Sequence, residues 1–112
     1  MNRKTVKVIL DRKKSSKKIV ALTAYDYSFS RLIDATDIDI ILVGDSLSMV
    51  ALGHSTTLPV TLEEMIMHTR AVSRGCHNSL LVADMPFMSY QVSNEEAVSN
   101  AGRSEEHTSE LQ

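Results

Sequence analysis

Apolar residues fall along this chain in two rhythms: short unbroken runs, and longer stretches in which they recur three or four residues apart. The runs are Ile19–Tyr25, Ile38–Val43 and Leu80–Ala83, with Asp39 their only charge. Such runs suit strands buried on both faces, as in a parallel sheet, better than half-exposed strands that alternate. Between the first two runs, Phe29, Leu32, Ile33 and Ala35 keep helical spacing behind Asp26 and Ser28, either of which can cap the helix, and Thr36 and Asp37 break it. Leu62, Met65, Ile66, Thr69 and Val72 follow Thr61 and Glu64, the spacing of a capping box, and Gly75 stops that helix. Thr5 opens a short leading helix through Val6, Ile9, Leu10 and Lys13, and a fourth helix begins near Ser93. Residues 47–60 read as a long loop.

The resulting order, one helix and then three strand–helix repeats, predicts an α/β chain with a parallel sheet. Parallel α/β folds place ligands outside the C-terminal ends of their strands, where Asp26, Asp45, Ser46 and Asp84 would gather. Three strands leave both sheet edges open and bury little apolar area against the cost of ordering the backbone. The chain therefore reads as truncated, with weak or absent cooperative unfolding expected.

Composition narrows the class further. The 112 residues are 43% hydrophobic, with 4 Gly, 2 Pro and one Cys. These values exclude a disordered tail, a collagen-like repeat and a disulfide scaffold. Charge is nearly balanced, 12 Lys+Arg against 14 Asp+Glu, but eight of the basic residues lie between Arg3 and Lys18. A run of this kind reads as a solvated helix face, so neither nucleic acid nor membrane is expected as a partner. No apolar run approaches the roughly 20 residues of a membrane span, and no secretory leader pattern opens the chain; a cytoplasmic location is expected.

Asp45 and Asp84, at the ends of neighbouring strands with no Cys or His beside them, are hard oxygen donors of the kind that suit Mg²⁺. They can equally cap the helix or loop that follows each strand. Ser46 can donate to a substrate carboxylate or close its own turn. Asp26 reads as a cap. His54, His68, His77 and His107 are dispersed without zinc-ligand spacing. Cys76 sits in a Gly-Cys-His-Asn turn and reads as an inert thiol, and Met49, Met65, Met67, Met85 and Met88 as core and loop filler. No glycine motif of the phosphate-cradling type is present. A phosphoacceptor receiver domain would also place an Asp at its third strand end, but it needs an acidic pair where this chain has Thr23-Ala24-Tyr25-Asp26.

Taken together, several ordered blocks resemble the N-terminal part of the ketopantoate hydroxymethyltransferase family. They are Thr23-Ala-Tyr-Asp-Tyr-Ser-Phe29, Leu42-Val-Gly-Asp-Ser-Leu47, Gly53-His54, Thr57-Leu-Pro-Val-Thr61, His68-Thr-Arg70 and Ala83-Asp-Met-Pro-Phe-Met-Ser-Tyr90. The resemblance spans nearly everything from Lys18 to Gly102. It implies the first three βα units of a (β/α)₈ TIM barrel with a leading helix, and transfer of a one-carbon unit from 5,10-methylenetetrahydrofolate to 3-methyl-2-oxobutanoate. The product would be 2-dehydropantoate, on the route to pantothenate, and the complete enzyme would form homo-oligomers. It further implies that Asp45 and Asp84 ligate Mg²⁺ and that Asp45, Ser46 and Asp84 lie at the bound keto acid. The Mg²⁺ would stabilise an enolate formed when a base removes the C3 proton. The family's general base is a Glu from later in the barrel, so no catalytic base is expected within these residues and the chain alone should be inactive. Two other readings stay open: another Mg²⁺-dependent α-keto-acid barrel of the isocitrate lyase and phosphoenolpyruvate mutase group, and a non-catalytic α/β binding module.

The chain departs from the family pattern twice. Ser48 stands where the family usually has Gly, which would strain the loop if that position needs a left-handed backbone. From Arg103 onward the residues Arg103-Ser-Glu-Glu-His-Thr-Ser-Glu-Leu-Gln112 are the in-frame translation of a common sequencing adapter, although Arg103 could belong to either source. The expected division is thus a partial barrel over 1–102 and a non-native tail over 103–112.

Overall fold

The computed structural model describes residues 3–91 and 93–109. Its elements are α1 (Val6–Lys13), β1 (Ala21–Thr23), α2 (Tyr27–Asp34), β2 (Ile40–Val43), α3 (Leu47–Val50), α4 (Leu62–Gly75), β3 (Leu80–Ala83) and α5 (Asn94–Ser109). The strands form one sheet in the order β1-β2-β3, and both pairings are parallel. This is the expected α/β class, three consecutive βα units behind a leading helix.

Local signals account for the helix boundaries. Thr5 and Asp26 accept from Val8 N–H and Phe29 N–H as N-caps of α1 and α2. Thr61 and Glu64 close the capping box of α4 reciprocally. One short helix, α3, lies inside the stretch expected to be all loop; four residues are too few to show a helical period.

Burial departs from the reading of strands covered on both faces. Ile41 and Val43 of β2 are fully buried with Ala24, Ile33, Leu47, Met65 and Val72 in the core, whereas Ile40 and Leu42, on the opposite side of the pleat, are partly exposed. All three residues of β1 are exposed. The helices cover one face of the sheet, and β1 is an edge. A continuous apolar run suits burial on two sides, and here only one side is supplied.

Two residues of the apolar stripe expected on α2 are likewise turned outward. Phe29 and Leu32 are 53% and 67% exposed, while Ser30, Ile33 and Asp34 are buried. The cause is close backbone packing of α2 on α4, which admits only small side chains. A Cβ on Gly75 would meet Arg31 N and Tyr27 O at 2.9 Å each, and Ser30 Oγ donates to Val72 O at 2.8 Å. Ser48 shows no left-handed strain: among the described residues only Asp37 and Met88 are non-glycine residues with positive φ. It is buried in α3, and its Oγ donates to Thr56 O at 2.8 Å.

Part of the basic N-terminal run is used internally. Arg3 donates to Ser73 O and Cys76 O, at 2.8 and 2.7 Å, closing the C-terminal end of α4. Lys4 N–H donates to Asn78 O at 2.8 Å, and Arg12 pairs with buried Asp39, whose other oxygen accepts from Val20 N–H at 2.9 Å. The leading segment is thereby tied to the starts of β2 and β3, while Lys7, Lys13, Lys14, Lys17 and Lys18 face solvent as expected.

Helix α5 runs on through Gly102 and Arg103 to Ser109, past the position where the native helix was expected to give way. Helical geometry needs only local bonds, and Arg103 to Ser109 contains no Gly or Pro to end it. Arg103 pairs with Glu63 at 2.9 Å between two solvent-facing side chains, a contact that contributes little. The side chains from Ser104 onward, His107 included, and residues 110–112 lie outside the described residues.

The turn into β3 is built on one buried carboxylate. Asp34, 4% exposed at the end of α2, accepts from the N–H groups of His77, Asn78 and Ser79 and from the Ser79 hydroxyl, all within 3.2 Å. Burial works to raise its pKa, but the bonds from His77, Ser79 and Asn78 outweigh it and hold the carboxyl below its ordinary value of 3.8. With the folded value depressed, this stabilisation is whole above the ordinary value and fades as the pH falls through the folded pKa. Asp34→Ala leaves those donors unpaired, at a cost of about 3 kcal/mol. Amide exchange at His77, Asn78 and Ser79 is therefore expected to speed up roughly a hundredfold; unchanged protection would show that the turn holds itself.

Candidate active site

The register of β2 and β3 aligns Val43 with Ala83, and Asp84 N–H then donates to Val43 O at 2.9 Å. The pairing carries the next residue of each strand to the same rim. Asp84 Oδ2 accepts from Asp45 N–H at 3.2 Å. Ser46 Oγ lies 2.7 Å from the hydroxyl of Tyr25, which follows β1. Three strand ends thus bring Tyr25, Asp45, Ser46 and Asp84 together. Asp26 does not join them: its Oδ1 accepts from Phe29 N–H at 2.8 Å and serves α2 alone, the capping role expected of it.

Gly44 lies between the polar groups. A Cβ there would press on Ser46 Oγ at 3.3 Å and Asp84 Oδ2 at 3.4 Å, so the glycine is what lets the hydroxyl and the carboxylate pack this close to the buried strand end. Asp84 is exposed, and Asp45 and Ser46 are half-buried. Among the described residues no three His, Cys, Asp or Glu side chains group closely enough to enclose a metal ion. Two carboxylates without nitrogen or sulfur donors are a poor zinc set, but they fit Mg²⁺, which typically takes one or two carboxylates and completes its octahedron with water and substrate oxygens.

Tyr25 and His68 had no role in the sequence reading. His68, on α4, directs Nδ1 at the backbone carbonyl of Tyr25 at 2.7 Å; since a carbonyl only accepts, Nδ1 carries the proton. Both residues stand in quoted motif blocks, yet nothing in local spacing links a residue after β1 to one on α4. Of the other histidines, His54 and His77 are exposed, and His77 precedes β3, at the end of the strand away from this rim. The methionines divide: Met65 is core, as read, whereas Met49, Met67 and Met88 are 47%, 60% and 46% exposed.

Comparison with known proteins agrees over nearly the whole chain. The family profile described as ketopantoate hydroxymethyltransferase matches residues 3–110. A 3-methyl-2-oxobutanoate hydroxymethyltransferase of Caldicellulosiruptor bescii is 53% identical over 103 residues, covering 92% of this chain and 39% of that protein. Its counterpart in Syntrophus aciditrophicus is 59% identical over 99 residues, covering 88% of this chain and 36% of that protein. The chain spans less than two fifths of the length of these curated relatives.

Cys76 is set apart from this chemistry. It is fully buried, its Sγ donates to Ser79 O at 3.3 Å, and burial pushes the thiol up to about 11. A neutral buried thiol is a poor nucleophile. Iodoacetamide at pH 8 is expected to leave Cys76 unmodified in the folded chain and to alkylate it in denaturant; rapid labelling of the folded chain would contradict this placement.

Proposed function

Because the chain belongs to the ketopantoate hydroxymethyltransferase family, a family of transferases, we propose that it supplies the metal and keto-acid corner of an enzyme that hydroxymethylates 3-methyl-2-oxobutanoate. The one-carbon donor would be 5,10-methylenetetrahydrofolate and the product 2-dehydropantoate, in pantothenate biosynthesis. The observation that carries this reading is the convergence on one rim of Asp84, which accepts from the Asp45 N–H, and of the Ser46 hydroxyl, both packed against Gly44. In the complete protein the same surroundings would form part of a cytoplasmic homo-oligomer acting on small molecules.

Asp45 and Asp84 would hold the Mg²⁺, which when bound supplies Lewis-acid stabilisation of the enolate derived from the keto acid. The chain's own groups do the rest of the binding. The Ser46 hydroxyl donates to the substrate carboxylate, the Asp45 and Asp84 carboxylates set the charge of the rim, and Gly44 lets Ser46 and Asp84 sit close together. On the family pattern none of these rim residues is the base that takes the C3 proton. That base would be a glutamate outside these 112 residues, and the chain by itself is expected to show no ketopantoate formation. The native sequence would end at Gly102 or Arg103, with the remainder an adapter translation; coding DNA re-read from a library with different adapters is expected to continue a barrel sequence there.

Asp84 Oδ2 already accepts a backbone bond from Asp45, which is also what a plain loop cap would do. Asp84→Asn separates the two roles, because an amide oxygen still caps but carries no charge for the cation. In a chimera with residues 1–102 in place of the matching segment of the Caldicellulosiruptor bescii relative, Asp84→Asn and Asp45→Asn should each weaken Mg²⁺ binding roughly tenfold or more in calorimetric titration. Unchanged Mg²⁺ affinity in both variants would leave only the capping role and a non-catalytic binding module. Gly44→Ala should raise KM for the keto acid severalfold, since its Cβ would push Ser46 Oγ and Asp84 Oδ2 out of place; an unaltered KM would place the substrate elsewhere.

A further inference from the structure

We propose that Tyr25 is a positioning residue for substrate binding: its hydroxyl donates to Ser46 Oγ and so turns the Ser46 proton outward, toward an anionic oxygen of the keto acid. The inference rests on the functional reading above and goes one residue deeper into the same site.

The geometry leaves little choice of direction once a carboxylate is bound. Tyr25 OH and Ser46 Oγ are 2.7 Å apart, and each hydroxyl has one proton to give and lone pairs to accept with. A carboxylate can only accept, so Ser46 must spend its single proton on the substrate. Its bond with Tyr25 is then satisfied only if Tyr25 is the donor. In that arrangement the two bonds run in one direction and polarise one another, making Ser46 a better donor than an isolated serine. Without Tyr25 the Ser46 hydroxyl is free to rotate, and part of the binding energy goes into fixing it.

Tyr25 is itself held in place. Its ring packs against the core, and its carbonyl accepts from His68 Nδ1–H at 2.7 Å, a bond that joins the loop after β1 to the middle of α4. His68 therefore acts on the site through the Tyr25 backbone, while the Tyr25 side chain acts through Ser46. Neither Asp45 nor Asp84 bonds to Tyr25, so the metal corner and this hydroxyl pair are separable.

The test is a double-mutant cycle in the 1–102 chimera, with initial rates measured against keto acid at saturating 5,10-methylenetetrahydrofolate and Mg²⁺. Tyr25→Phe removes only the hydroxyl. It is expected to raise KM for the keto acid about tenfold, with kcat changed less than twofold and Mg²⁺ affinity unchanged, the loss corresponding to one net hydrogen bond. In a Ser46→Ala background the same substitution should have no further effect on KM, which a merely structural role for Tyr25 would not produce. An unchanged KM in Tyr25→Phe, or equal losses in both backgrounds, overturns the assignment. Absence of turnover in the parent chimera overturns the enzymatic reading and this inference with it, whereas full turnover in the parent with a silent Tyr25→Phe overturns the inference alone.

Discussion

A buried carboxylate that accepts hydrogen bonds from consecutive backbone N–H groups fixes the path of a turn more tightly than apolar packing can, because each donor it releases would be left dry. Asp34 plays this part between the end of α2 and the turn that opens β3. Among the described residues no Lys or Arg pairs with it; backbone dipoles and the Ser79 hydroxyl balance its charge. Ser79 also donates to Ile38 O at 3.0 Å, which joins the same turn to the approach to β2. The register of β3 against β2 starts from this knot, and a slip of one residue would send Asp84 to the helix side of the sheet.

Close packing of α2 on α4 sets the second constraint. Gly75, Ser30 and the Val72 carbonyl bring the two backbones together, so the helices cover one sheet face with few large side chains between them. The leading segment ties the opposite end of the strands through Arg3, Lys4 and Arg12. The strand starts are thus braced by ionic and backbone bonds, while the strand ends stay polar and open. The end that is not braced is the one at which parallel α/β sheets carry their ligands.

Most of the element order was legible in the chain because its cues are local. Thr5, Asp26 and the Thr61–Glu64 box start their helices where the spacing says, and Leu80–Ala83 is a strand over its full run. The exposure of β1 was not legible, since an apolar run states what a strand can bury and not whether a second layer is present to bury it. Phe29 and Leu32 misled for a related reason: helical spacing identifies an apolar stripe, but the close approach at Gly75 decides which side of α2 meets α4. Asp45, Ser46 and Asp84 could be named as candidates because strand ends are where such folds carry ligands, and the structure brings them to one rim. Tyr25 and His68 were missed because their bonds join residues distant in sequence, which no local period reports. Ser48 posed a strain that disappears once α3 is seen to hold it with an ordinary backbone and a partnered hydroxyl.

On the proposed reading, the rim built from Asp45, Ser46 and Asp84 binds a divalent cation together with a keto acid. Crystals of the barrel chimera grown with Mn²⁺ in place of Mg²⁺ and soaked with 3-methyl-2-oxobutanoate test it directly through anomalous scattering. One strong anomalous peak is expected against the carboxylates of Asp45 and Asp84, with the keto-acid carboxylate within hydrogen-bond distance of Ser46 Oγ. A peak away from both aspartates, or a keto acid bound without contact to Ser46, would contradict it.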